Sequence, residues 1–133
     1  MNIQAAEARH QIANLLHTYV AIADRKDVDA VVDLLGSSHV QFPAATSMDP
    51  AGARQLFTRL WSPPDGHRHD VSNLIVNPAP KDGQWLATAH YTRWLLSDGA
   101  PFVHTLGQYD LLVDGEDWSV RQLTVSRLWT AGT

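Results

Sequence analysis

Apolar positions are spaced like helices in the first half of the chain and like strands in the second. Ile12, Leu16, Tyr19, Val20 and Ala23 recur at intervals of three and four, which predicts one amphipathic helix over roughly Ile3 to Lys26, a stretch without Pro or Gly. Asp29 to Leu35 reads as a second, short helix that begins after Asp27 and stops at Gly36. HVQF at 39 to 42 is a brief strand ended by Pro43. Asp49-Pro50 is a helix cap followed by proline at the first helical position. Ala53, Leu56, Phe57, Leu60 and Trp61 give the third helix its stripe, with SPPDG at 62 to 66 as its terminating loop.

After Gly66 the segments HRHDVSNLIVN, GQWLATAHYTRWLL, FVHTLGQYDLLV and DWSVRQLTVSRLW are long and extended, joined by PAPKDG, SDGAP and DGED. These joints are short and rich in Asp, Gly and Pro, as hairpin connections are. Three N-terminal helices followed by antiparallel strands make an α+β order, with the helices on one face of a curved sheet. Strands longer than the usual five or six residues imply bends and bulges, and a bent sheet wrapped over helices forms a cone with a mouth. Such mouths hold small-molecule pockets.

Length and composition narrow the classes. At 133 residues and 44% hydrophobic content the chain fits a single domain over 1–133. It has no cysteine, which removes disulfides, thiolate metal sites and a thiol nucleophile and suits a cytoplasmic setting. A net charge of −4, from 10 Lys plus Arg against 14 Asp plus Glu, offers no basic surface for nucleic acid. MNIQAAEARHQ carries no leader pattern, and no apolar run is long enough to span a membrane. The chain lacks G-x-S-x-G, G-x-G-x-x-G and Walker patterns, so serine hydrolase, dinucleotide and nucleotide chemistry have no anchor.

The densest polar stretch is GHRHDVSN at 66 to 73. Alternation places His67, His69, Val71, Asn73 and Ile75 on one strand face and Arg68 with Asp70 on the other, where an exposed ion pair is the plain reading. His67 and His69 form an H-x-H pair, but no third ligand stands at a recognisable metal spacing, so no metal and no other cofactor is expected. His10 and His17 read as part of a solvated helix face. His104 shares a strand face with Phe102 and Leu106 and is within reach of the cone interior. Phe42, Trp61, Trp85, Tyr91 and Trp94 supply apolar walls, with core packing and a dimer interface competing for the five tryptophans.

Several fragments together carry a family resemblance: Tyr19 and Asp24 in YVAIADRKD, Arg68-His69 with Asn73 in RHDVSN, GQY at 107 to 109, and Trp118 and Trp129 in the last strand. The chain resembles the SnoaL-like proteins of the NTF2-like superfamily, the cone fold shared by scytalone dehydratase, ketosteroid isomerase and limonene epoxide hydrolase. The resemblance covers nearly the whole chain. It implies, as in the scytalone dehydratase-like branch, a catalytic pair of Asp24 and His69. A carboxylate on one ring nitrogen fixes the imidazole tautomer and leaves the other nitrogen to exchange a proton with substrate. Tyr19, Asn73 or His104 would then stabilise an enolate oxygen, and Phe42, Trp61 and Tyr91 would line the substrate site. The limonene epoxide hydrolase-like pattern needs two aspartates about an arginine. Arg93 lies on a suitable strand, but both aspartates cannot be identified, and the ketosteroid isomerase-like base is missing from residues 83–96.

The expected function is that of a cofactor-independent lyase (dehydratase) or isomerase acting on a small apolar or aromatic, carbonyl-bearing ring compound. The rival is a non-catalytic ligand-binding or subunit-assembly protein on the same cone. Under either reading the apolar sheet face ending at Leu96 and Trp129 leads to an expected homodimer, with neither nucleic acid nor membrane as partner.

Overall fold

Each helix begins where a short polar side chain takes up a main-chain N–H that has no partner in the first turn. In the computed structural model, which describes residues 2–97 and 99–132, Asn2 accepts from Ala5 N–H and opens α1 (Ile3–Asp24). Asp27 accepts from Ala30 N–H and opens α2 (Val28–Leu35). Asp49 accepts from Gly52 N–H at 2.7 Å and opens α3 (Pro50–Leu60). On α1 the buried positions include Ala8, Ile12, Leu16, Tyr19 and Ala23, the stripe that the spacing predicts.

The strands are β1 (His39–Phe42), β2 (Ala45–Ser47), β3 (Gly66–Pro78), β4 (Gln84–Leu96), β5 (Phe102–Asp114) and β6 (Ser119–Thr130). They form one six-stranded sheet in the order β2-β1-β6-β5-β4-β3. Only the β1–β6 contact is parallel, so the sheet is mostly antiparallel and curves around the three helices. The three-residue β2 is too short to have shown a period in the sequence. Leu111, Val113 and Leu123 on the inner face are buried with Ile12, Leu16, Val31 and Leu35 of the helices, which closes one end of the cone with a dry core.

Bulges overturn part of the strand reading. The β3–β4 register slips between Ser72 and Ile75, with Asn73 in the left-handed region at φ 57°. One extra residue reverses the alternation: Val71, Leu74 and Val76 pack towards the core, whereas Asn73 and Ile75 are exposed. Asparagine tolerates this backbone better than other non-glycine residues, which is why it sits there. A second slip leaves His104 unpaired between Val103 and Thr105. His104 therefore parts from Phe102 and Leu106, which are exposed. Trp118 lies in the turn ahead of β6, at φ 56°, and not in the strand. Asp70 accepts the Trp94 indole N–H at 3.0 Å on the outer face, in place of the expected ion pair with Arg68.

The bulge gives a direct check on this account. Asn73→Gly is expected to leave the unfolding free energy within a few tenths of a kcal/mol of wild type, and Asn73→Val to lose about 1–2 kcal/mol, in urea titrations.

Candidate functional site

A half-open cavity of about 420 Å³ lies between the end of α1, the rim after α3 and the inner faces of β3 to β6. Registered strands order its polar groups in rows. His69, Arg93 and Thr105 stand side by side across β3, β4 and β5, and the next row runs Val71, Tyr91, Gly107 and Arg127. Gly107 is required there, because a Cβ would overlap the Tyr91 ring and the Ser126 carbonyl. Tyr91 in turn stacks on Tyr109, with centroids 4.5 Å apart and planes 14° from parallel, and Tyr19 meets Tyr109 edge-on at 5.7 Å. Burial pushes the phenol pKa of all three upwards, which keeps them protonated as hydrogen-bond donors.

Asp24 and His69 come together. Asp24 Oδ1 accepts both the main-chain N–H of His69 and its ring Nδ1–H, each at 2.8 Å. The His69 ring is nearly buried, Asp24 is half-buried behind it, and His69 lines the cavity while Asp24 does not. With Nδ1 holding the proton, neutral His69 carries its lone pair on Nε2, which has no partner among the described residues.

Arg93 imposes the opposite tautomer on two other histidines. Its Nε donates to His67 Nδ1 at 3.0 Å and its Nη1 approaches His104 Nδ1 at 3.1 Å, so both rings keep their proton on Nε2. His67 Nε2–H donates to the Ala23 carbonyl at the end of α1. Thr105 Oγ1 lies 2.7 Å from the same His104 nitrogen. Burial, followed by the nearby Arg93 and Arg127 charges, lowers the His104 pKa. His104 thus keeps an N–H donor and His69 a lone pair, each on a ring nitrogen without a partner among the described residues, and both rings line the cavity.

Of the residues expected to hold substrate, Tyr19, Phe42, Trp61, Tyr91 and His104 line the cavity. Asn73 does not, because the bulge turns it to solvent. Trp85 borders a separate cleft beside the N-terminus, and Trp94 lies outside on Asp70. His10 and His17 are exposed. The sequence reading passed over Arg127 and gave no site role to His67, Thr105 or Tyr109. For the arginines a signal was present: Arg93 and Arg127 each follow a buried residue, Tyr91 and Val125, by two, and so fall in the inward phase of their strands. Lys26, at φ 55°, was also missed; its Nζ donates to the Pro63 and Asp65 carbonyls at 2.6 and 2.7 Å and fastens the rim of the mouth to α1.

His67 makes stability depend on pH. Burial is the main cause that lowers its pKa from the ordinary value to about 4, with His69, Arg93 and Lys26 adding repulsion against the pull of the Ala23 carbonyl. Above about pH 6.5 the ring is neutral folded or unfolded; as pH falls below that, the unfolded chain takes up a proton that the folded chain refuses. Stability is therefore lost on acidification. Urea titrations from about pH 7 to pH 5 should show a loss on the order of 2 kcal/mol that His67→Gln largely removes; parallel pH slopes for the two proteins would contradict the assignment.

With this geometry in hand, comparison with other proteins shows its kin. A protein-family model described as a SnoaL-like domain matches residues 4–125. No protein of curated function matches the chain. Among solved structures, a Novosphingobium aromaticivorans protein provisionally named a scytalone dehydratase superposes with a TM-score of 0.82 at 13% identity, covering 100% of this chain and 92% of that one. ActVI-ORFA from Streptomyces coelicolor gives 0.77 at 15% identity, covering 90% and 96%. An NTF2-like protein with a cystatin-like fold, also from Novosphingobium aromaticivorans, gives 0.75 at 18% identity, covering 98% and 88%. At such identities the structures share the fold, while the family match spans nearly the whole sequence. The chain belongs to the SnoaL-like domain family, and its fold is shared with the NTF2-like neighbour.

Proposed function

We propose that the chain is a lyase or isomerase that moves a proton next to the carbonyl of a mostly apolar ring compound, using its own side chains. The observation that carries this reading is the pair of opposite tautomers in one cavity: His69 held as an acceptor by Asp24, and His104 held as a donor by Arg93. His69 Nε2 takes the proton from the carbon beside the carbonyl, and the electron pair of that C–H bond moves onto the carbonyl oxygen. Asp24 balances the imidazolium that forms. His104 Nε2–H and the tyrosine hydroxyls are the donors available to the enolate oxygen. An isomerase returns the proton to another carbon; a dehydratase expels a hydroxyl from the neighbouring carbon as water, with the proton supplied within the site.

The non-catalytic rival is disfavoured by two features. A binding protein has no need for a carboxylate that orients an otherwise unpartnered ring nitrogen, and Trp61 walls the cavity without filling it. The name borne by the scytalone dehydratase-like neighbour points in the same direction.

The test follows deuterium uptake from solvent into 2-tetralone by NMR, which requires only the proton-abstraction step. Wild type should accelerate exchange beside the carbonyl. His69→Gln should lower the enzyme-dependent rate by about 10²- to 10⁴-fold and Asp24→Asn by at least about tenfold. Exchange in His69→Gln equal to wild type would refute the assignment.

A further inference from the structure

The cavity holds two guanidinium groups for which the protein supplies no carboxylate. Arg93 is half-buried, and its partners are the uncharged Nδ1 atoms of His67 and His104. Arg127 enters the cavity from the next row of β6, and among the described residues neither arginine forms an ion pair. Arg127 is near enough for its charge to disfavour that of Arg93, and both disfavour a charge on His104. Of the two nearby carboxylates, Asp24 is committed to His69, and Asp65 is exposed at the rim. A cation withdrawn from water beside a second cation is costly unless a counter-charge meets it. Packing alone does not call for this arrangement, since Leu95 and Val125 on the same inner face are apolar.

We propose that Arg93 and Arg127 are the subsite for an acidic group on the ligand, so that the cavity takes an organic anion: a ring compound bearing a carboxylate. A guanidinium fork matches two carboxylate oxygens, and in a partly dry site such charge-assisted pairs are about twice as strong as neutral hydrogen bonds. The ring would lie against Tyr91, Trp61 and Phe42, which border the same space. Arg127, exposed at the mouth, meets the anion first, and Arg93 receives it deeper in. This narrows the substrate class of the proton-transfer site, and it rests on that reading only for the statement that the anion is a substrate; anion selectivity stands on the arginines alone.

The probes are 2-naphthoate and the nearly isosteric, uncharged 2-naphthamide, with affinities read by calorimetry or tryptophan fluorescence. Wild type is expected to bind the naphthoate at least roughly tenfold more tightly than the amide. Arg127→Gln, a change at an exposed position, should reduce that preference to within about threefold, while Arg127→Lys should retain part of it. His69→Gln should keep the full preference. Equal affinities in wild type, no naphthoate binding at millimolar concentration, or a preference unchanged in Arg127→Gln would each overturn the subsite. The outcomes separate from those of the tetralone experiment: a preference that survives when no exchange is catalysed leaves the anion site standing and removes the proton-transfer reading. Exchange without a preference does the reverse.

Discussion

The molecule depends on how the free edge of β3 is satisfied. That strand ends the sheet, so on one side its main-chain groups have no neighbouring strand. Exposed edges of this kind invite pairing with other chains, and here α1 covers the edge. Asp24 Oδ1 takes the His69 main-chain N–H, and the Arg9 guanidinium donates to the Leu74 carbonyl at 2.8 Å. The same carboxylate oxygen holds the His69 ring. One carboxylate oxygen therefore caps a main-chain N–H on the sheet edge and orients the ring that borders the cavity, which ties the placement of the ring to the position of the helix.

Arg93 performs a similar double task from the middle of the sheet. By donating to two imidazole nitrogens it fixes both tautomers, and its charge opposes protonation of either ring. His67, with both nitrogens engaged, ties β3 to the last turn of α1 and has no capacity left for a ligand. His69 and His104 each retain one nitrogen for the cavity. Three histidines of one cavity thus receive different work, decided by the partners of both ring nitrogens.

Much of the fold was legible from residues alone because caps and periods are local. Asp27, Asp49 and the stripe from Ile12 to Ala23 state their helices plainly. The bulges were not legible, since one inserted residue reverses every later side chain while leaving the composition of the strand untouched. That is how Asn73 left the expected site and how His104 parted from Phe102 and Leu106. The nearness of Asp24 to His69 followed from the family resemblance; helix and strand spacing left each with a bland alternative, because a contact 45 residues apart is a tertiary fact. Arg127 was missed for a related reason: a charged side chain on a strand is ordinarily read as outward, and only the phase set by Val125 argues otherwise.

The most direct measurement is the tautomer of His69, read from its two ring nitrogens by ¹⁵N-resolved NMR above neutral pH, where an ordinary imidazole is uncharged. A ring protonated on Nδ1 and bare on Nε2, with that preference lost in Asp24→Ala, is the expected result. A His69 that carries its proton on Nε2 in wild type, or whose tautomer ignores Asp24→Ala, would contradict the pairing on which the proposed chemistry rests.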